Sequence, residues 1–419
     1  MKRIFLISIL SISLFTACSA RPITKPQDAS SLATLVQQGI EQTLAANTPT
    51  PEPTSTPSPT PTVTLVPVKK IAFVSSETGS VQLYTINSDG SGQTRVTNNQ
   101  NVEGTYDYSP GGQWIAYETN IASDGNAEIY VMRADGSEAR KLVATTKNDF
   151  NPAWSPDGSE ILFMSDMTQN GHDRDIFVVN ADGSGLVNLS NSSNFDVDPV
   201  WSPDGTRIAY RSSAWLSDEA LANFSSTGGI VKIVVKDVTT GNKISLPLPE
   251  GLSSPSYPRW SPDGTQIVFN CGGMMKKADD SDSYATYQAL CLATADGSDA
   301  QLLYKAEVKM DQSPMFHPDA IWSPDGSKIA FVGLLADGVT SEIFTMNSDG
   351  SNLQQITTST TELKTEPAWS KDGNMILFLG QEGSLLRRHF VLYAMNADGT
   401  GMIQLFERVR FSPVPKWLE

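Results

Sequence analysis

Trp154-Ser155-Pro156-Asp157-Gly158 precedes the apolar run Ile161-Leu162-Phe163-Met164. The same five residues return at Trp201–Gly205, Trp260–Gly264 and Trp322–Gly326. Altered forms stand at Tyr108–Gly112 and Trp369–Gly373. Successive aromatics are 46, 47, 59, 62 and 47 residues apart. A period of that length marks a repeat architecture, and a four-stranded propeller blade has about that length.

A second phrase keeps step with the first. It reads Asn87–Gly90, Arg133–Gly136, Asn180–Gly183, Thr294–Gly297, Asn347–Gly350 and Asn396–Gly399, each ending in Asp-Gly. A worn copy, Lys236–Gly241, fills the one gap. Both phrases are turns: Pro presets φ, Ser accepts local hydrogen bonds, and Gly takes the left-handed conformation without strain. Between them lie β-branched and aromatic runs such as Asp175–Val179.

One repeat therefore reads as four strands, A to D. A ends at the aromatic, B follows Ser-Pro-Asp-Gly, C precedes the second turn and D follows it. Pro152, Pro199, Pro258, Pro367 and Pro415 stand two residues before the aromatic. Pro cannot donate to a ladder, so A is expected at a sheet edge. The first repeat begins at Ile71 with strand B, and Pro415–Leu418 is an A strand with no B after it. The expected fold is all-β: a seven-bladed β-propeller over residues 68–419, closed by the C-terminal strand pairing into blade 1.

These phrases resemble the TolB-like β-propeller repeat, in which Pro-x-Trp-Ser-Pro-Asp-Gly and a later Asp-Gly turn recur. The resemblance covers roughly residues 70–419 and implies the fold rather than an activity. The family's namesake carries an α/β domain ahead of a six-bladed ring, and nothing in this sequence resembles that domain.

The front end reads differently. Lys2 and Arg3 precede a 12-residue apolar run, Ile4–Phe15, too short to span a bilayer. Residues 1–17 are expected to be a signal peptide. Its end resembles a lipobox, which implies lipid on Cys18, although Phe15 departs from the usual Leu. Lipidation would anchor the chain to the cell envelope, outside the cytoplasm, and Ser19 after the Cys favours the outer membrane or cell surface. Residues 18–46 include an amphipathic helix with Leu32, Leu35, Val36, Ile40 and Leu44 on one stripe. Residues 47–67 hold seven Pro and seven Thr and read as an extended stalk.

Net charge is −16, with Lys and Arg scattered. No basic cluster supports nucleic-acid binding. Cys271 and Cys291 are assigned to neighbouring strands of blade 5, where a disulfide at the base of a long loop is expected; two small buried thiols are the alternative.

Irregular insertions fall in the B–C and D–A connections: Ser212–Gly229, Gly272–Tyr287 and Lys305–Ala320. Repeat proteins concentrate loop variation on the working side. Trp215, Met274, Met275, Tyr284, Tyr287, Phe316 and His317 are the large side chains there and suit a protein or peptide contact, made by a monomer. Three residues before each aromatic, at the expected channel mouth, stand Thr105, Asn151, Asp198, Tyr257, Asp319, Glu366 and Val414. Asp198, Asp319 and Glu366 are candidate ligands for Ca²⁺. The other functional reading is an enzyme acting on extracellular glycan or peptide, using those carboxylates or His317. No Gly-x-Ser-x-Gly or His-Glu-x-x-His motif occurs.

Overall fold

A computed structural model describes residues 68–418, apart from 78, 98–103, 121–124, 144, 168–173, 215–230, 277–283, 309–318, 339, 359–362, 383–388 and 411–413. Cys18, the amphipathic segment, the Pro/Thr stretch, Trp215, Phe316 and His317 lie outside the described residues. Every regular element among the described residues is a strand.

Five four-stranded antiparallel sheets follow one another along the chain, and an eight-stranded sheet joins its two ends. The larger sheet divides into Leu363–Trp369, Met375–Glu382, His389–Asn396 and Ile403–Val409 on one side. On the other lie Lys416–Leu418, Lys70–Ser75, Gln82–Asn87 and Thr94–Arg95. Five sheets plus these two halves make seven blades among the described residues. Closure takes the expected form: Lys70, Ile71 and Ala72 pair with Leu418, Trp417 and Lys416. The halves touch at one register point, Ser75 against Val409.

Hydrophobic packing follows the seams between blades. Ile161 and Phe163 of blade 3 pack with Ile129 and Val131 of blade 2, while Leu162 and Met164, on the other face, pack with Ile208 and Tyr210 of blade 4. Alternation along a strand sends successive side chains to opposite faces, so every blade is apolar on both sides. The motif tryptophans wedge into these seams. Indole N–H groups of Trp201, Trp322, Trp369 and Trp417 donate to the carbonyls of Ala153, Arg259, Ile321 and Ala368, at 3.0 to 3.3 Å. Each acceptor immediately precedes the aromatic of the preceding blade. Trp417 thus closes the ring with the bond used at internal seams, and Lys69 adds an ion pair to Asp372 of blade 7.

The turns behave as their chemistry requires. Ser155 Oγ donates to Asp157 Oδ1 at 2.6 Å and accepts from Glu160 N at 2.9 Å. Gly158 sits at φ 72°, where a side chain is costly. The Ser155 and Ser159 donors hold the Asp157 carboxyl down at about 2. Asp182 of the second phrase accepts from both N and Oγ of Ser184.

Strand lengths in the insertions differ from expectation. The B strand of blade 4 runs through Ser212 to Ala214. In blade 5, strands Gln266–Lys276 and Tyr284–Thr294 are 11 residues each, so Met274, Met275, Tyr284 and Tyr287 are strand residues, not loop residues. The D strand of that blade, Ala300–Val308, absorbs Lys305 as well. Gly272 and Gly273 read as loop, yet they serve close backbone approach. A methyl on Gly273 would lie 2.9 Å from the Gly251 carbonyl, and one on Gly272 3.0 Å from that of Tyr287.

Candidate functional site

All six A–B connections are five residues long, and the C–D connections are five or six. The other two kinds, B–C and D–A, extend up to the 16 residues between Ala214 and Val231. In an antiparallel blade A–B and C–D turns share one side, so the variable connections share the other. Blade 5 stands above its neighbours on that side. Its B and C strands have 11 residues each, against eight and seven in blade 4 and seven each in blade 6. Three or four extra residues at ~3.3 Å each raise this hairpin by roughly 10–13 Å.

The hairpin is cross-braced. Cys271 and Cys291 form a disulfide, with Cα atoms 6.0 Å apart. They lie diagonally in the ladder, where Cys271 faces Ala289 and Cys291 faces Phe269. The bridge therefore sits inside the paired strands, among buried Trp260, Ile267 and Phe269, and not at a loop base. Higher up, Tyr287 is half-buried, with the Lys305 ammonium 5.3 Å from its ring centre.

A second cluster lies on the inner strands. Asn151, Asp198, Tyr257, Asp319 and Glu366, each three residues before its aromatic, all have φ between 33° and 58°. The ladders shift register at this position in four blades, between Phe150 and Ala153, Val197 and Val200, Ser256 and Arg259, and Thr365 and Ala368. The residue is a β-bulge in the left-handed region, a conformation costing ~1–2 kcal/mol for a side chain. Repeating it in successive blades brings five side chains toward one axis.

Electrostatics confirm that convergence. Burial raises the Tyr257 hydroxyl above its ordinary range, and the charges of Asp198, Asp319 and Glu366 raise it further, against Arg211. Those groups come from blades 4, 6 and 7. Burial also pushes the Asp319 carboxyl up, opposed by the Arg259 guanidinium and by Thr365, whose Oγ1 donates at 3.3 Å. Glu366 is pushed up by burial and by the neighbouring Asp319 charge, again against Arg259. Asp198 takes Arg211 Nε at 3.5 Å. Thr105 and Asn151 continue the circle, Oγ1 to Oδ1 at 3.0 Å.

Among the described residues no group of three His, Cys, Asp or Glu is arranged to hold a metal ion. Arg211 and Arg259 stand beside these carboxylates. The three-residue offset points to the axial residues; Arg259 follows Tyr257 by two positions on the same strand, and only Arg211, on the B strand of blade 4, stands outside that reading. The enzyme reading draws on these carboxylates or on His317, and His317 lies outside the described residues.

Residues 56–172 match the TolB beta propeller domain. A TolB homolog of Chlorobium luteolum is 28% identical over 135 residues, covering 23% of this chain and 31% of that protein. The chain thus spans about a third of the length of the curated relatives it matches. Among solved structures, a puromycin-hydrolyzing peptidase of Mycobacterium tuberculosis superposes with TM-score 0.56 at 13% identity, covering 82% of this chain and 54% of that one. An oligogalacturonate lyase in complex with manganese does so with TM-score 0.53 at 15% identity, covering 82% and 85%. Identities this low speak for the fold alone. With the paired turn phrases, the closed arrangement of blades and the matched domain together, the protein is a β-propeller whose blades are similar to those of the TolB beta propeller domain.

Proposed function

We propose that this protein is an extracytoplasmic propeller, tethered to the envelope through Cys18, that binds a protein or peptide partner on the side of its B–C and D–A connections. One observation carries the reading: the blade 5 hairpin rises from that side as a braced, three-stranded projection. Rigid strands hold recognition side chains more accurately than loops and lose less entropy on binding. Met274, Met275, Tyr284 and Tyr287 ride on this projection. Tyr and Met are residue types enriched at interfaces. Trp215, Phe316 and His317 belong to the connections flanking it in sequence.

The test is site-specific photocrosslinking in intact cells. A benzophenone amino acid at Tyr284 should capture a discrete adduct, and one at Asp157, on the opposite side, should not. Tyr287→Ala in the Tyr284-labelled protein should reduce the adduct at least fivefold without shifting the melting temperature. Equal adducts from both positions would refute the assignment of sides.

A further inference from the structure

The seam between blades 1 and 2 lacks a contact that five other seams share. A methyl placed on Gly158, Gly205, Gly264, Gly326 or Gly373 would lie 3.4 to 3.8 Å from the ring of Pro110, Pro156, Pro203, Pro262 or Pro324 respectively. In each case the Pro belongs to the A–B turn of the preceding blade. Methyls on Gly111 and Gly112 of blade 2 would meet nothing within 4 Å. The reason is topological: strands A and B of blade 1 come from opposite ends of the chain, so no Ser-Pro-Asp-Gly turn joins them. The indole bond is missing as well, because blade 2 carries Tyr108 where four blades have a donating Trp.

A cavity of about 770 Å³ opens at this seam, within the range of pockets that take small ligands and short peptide segments. Lys70, Arg95, Lys416 and Trp417 line it from blade 1, and Gly111 and Gly112 from blade 2. Lys70 and Arg95 are exposed. Lys416 reaches Asp107 at 2.6 Å, which holds its ammonium at the edge of the groove. The lining carries three cations against Asp107 and Asp135, on a chain whose net charge is −16. Local charge therefore opposes that of the molecule and favours an anionic occupant.

We propose that this groove docks an extended, acidic, proline-containing segment of a partner protein. Its Pro ring rests on Gly111 and Gly112, as the five internal prolines rest on theirs. Its carboxylates lie among Lys70, Arg95 and Lys416. Such a segment enters with little backbone entropy left to lose. The groove is on the side of the short turns, opposite the blade 5 projection, so it stands or falls independently of the recognition proposed there.

Fluorescence anisotropy on the full chain tests this, with a labelled peptide Glu-Ser-Pro-Asp-Glu as probe. Saturable binding is expected. Replacing the peptide Pro by Ala, or making Lys70→Glu in the protein, should each weaken it at least tenfold. Gly111 lies in open space outside the positive-φ region, so Gly111→Phe should fill the groove and abolish binding with an unchanged melting temperature. No saturable binding up to millimolar peptide would overturn the proposal, as would binding indifferent to Gly111→Phe or to the loss of Pro. Self-association removed by Gly111→Phe, without peptide uptake, would assign the groove to a second copy and overturn it equally.

Discussion

Glu366 and Asp149 show how single side chains are held at a cost. Glu366 sits at φ 58°, directly before Pro367. Replacing it with β-branched Val keeps the strain and loses the Arg259 partner, whereas Gly removes the strain. Glu366→Val should therefore be less stable than Glu366→Gly by about 1–2 kcal/mol in urea unfolding; equal midpoints would contradict a strained bulge. Asp149 is fully buried. Burial pushes its carboxyl up to about 6 from an ordinary 3.8, against hydrogen bonds from Ser165 and Thr145. The folded chain holds this proton more tightly than the unfolded one. Its stabilisation is complete below about pH 4 and is lost as pH rises to 6, by up to ~3 kcal/mol. Asp149→Asn should make the fall in stability across that window shallower, leaving the part due to Asp319 and Glu366, and an unaltered slope would exclude Asp149 as a source. Exposed turn aspartates act with opposite sign: hydrogen bonds depress Asp182 and Asp398, and their contribution disappears as pH falls below about 4. The axial positions were legible from the three-residue offset. Their left-handed backbone was not, because a residue before Pro reads as extended and neither Tyr257 nor Glu366 favours positive φ.

Turns, strands and tryptophans carry the next level. Four motif tryptophans donate across a seam, but the indole N–H of Trp154 has no partner among the described residues. Both Trp154 and Trp369 are buried. Trp369→Phe removes a hydrogen bond and Trp154→Phe does not, so the former should cost about 1 kcal/mol more. Equal costs would show that the indole bond adds nothing to the wedge. Replacing Cys271 and Cys291 together by Ala should lower stability by about 3 kcal/mol, since the bridge closes a 20-residue separation. Loss of partner adducts from Tyr284 in the same variant would tie recognition to the brace. Turn phrases were readable because their mechanism is local to five residues. The blade 5 strands were not, because Gly272 and Gly273 imitate a break, whereas they serve approach to the carbonyls of Tyr287 across the hairpin and of Gly251 outside it.

Across the whole propeller, stability is distributed over seams rather than gathered in one core. The blade 7 to blade 1 seam buries Ile71, Phe73, Leu377, Leu379 and Leu392 and packs Trp417 against them. That seam joins residues more than 300 positions apart, as in the bond from Ser75 Oγ to the Arg408 carbonyl at 2.9 Å. Long-range pairing of this kind closes late and holds the rest in place. A rigid, closed set of blades is also what gives the blade 5 projection and the blade 1–2 groove fixed geometry. Hydrogen–deuterium exchange at Lys70–Ser75 tests closure most directly, comparing the full chain with one ending at Pro415. Closure by Trp417 predicts amides at Lys70–Ala72 that exchange at least a hundredfold faster in the shortened chain, while Glu160–Ser165 of blade 3 stays protected. Equal protection of Lys70–Ala72 in both chains would contradict it.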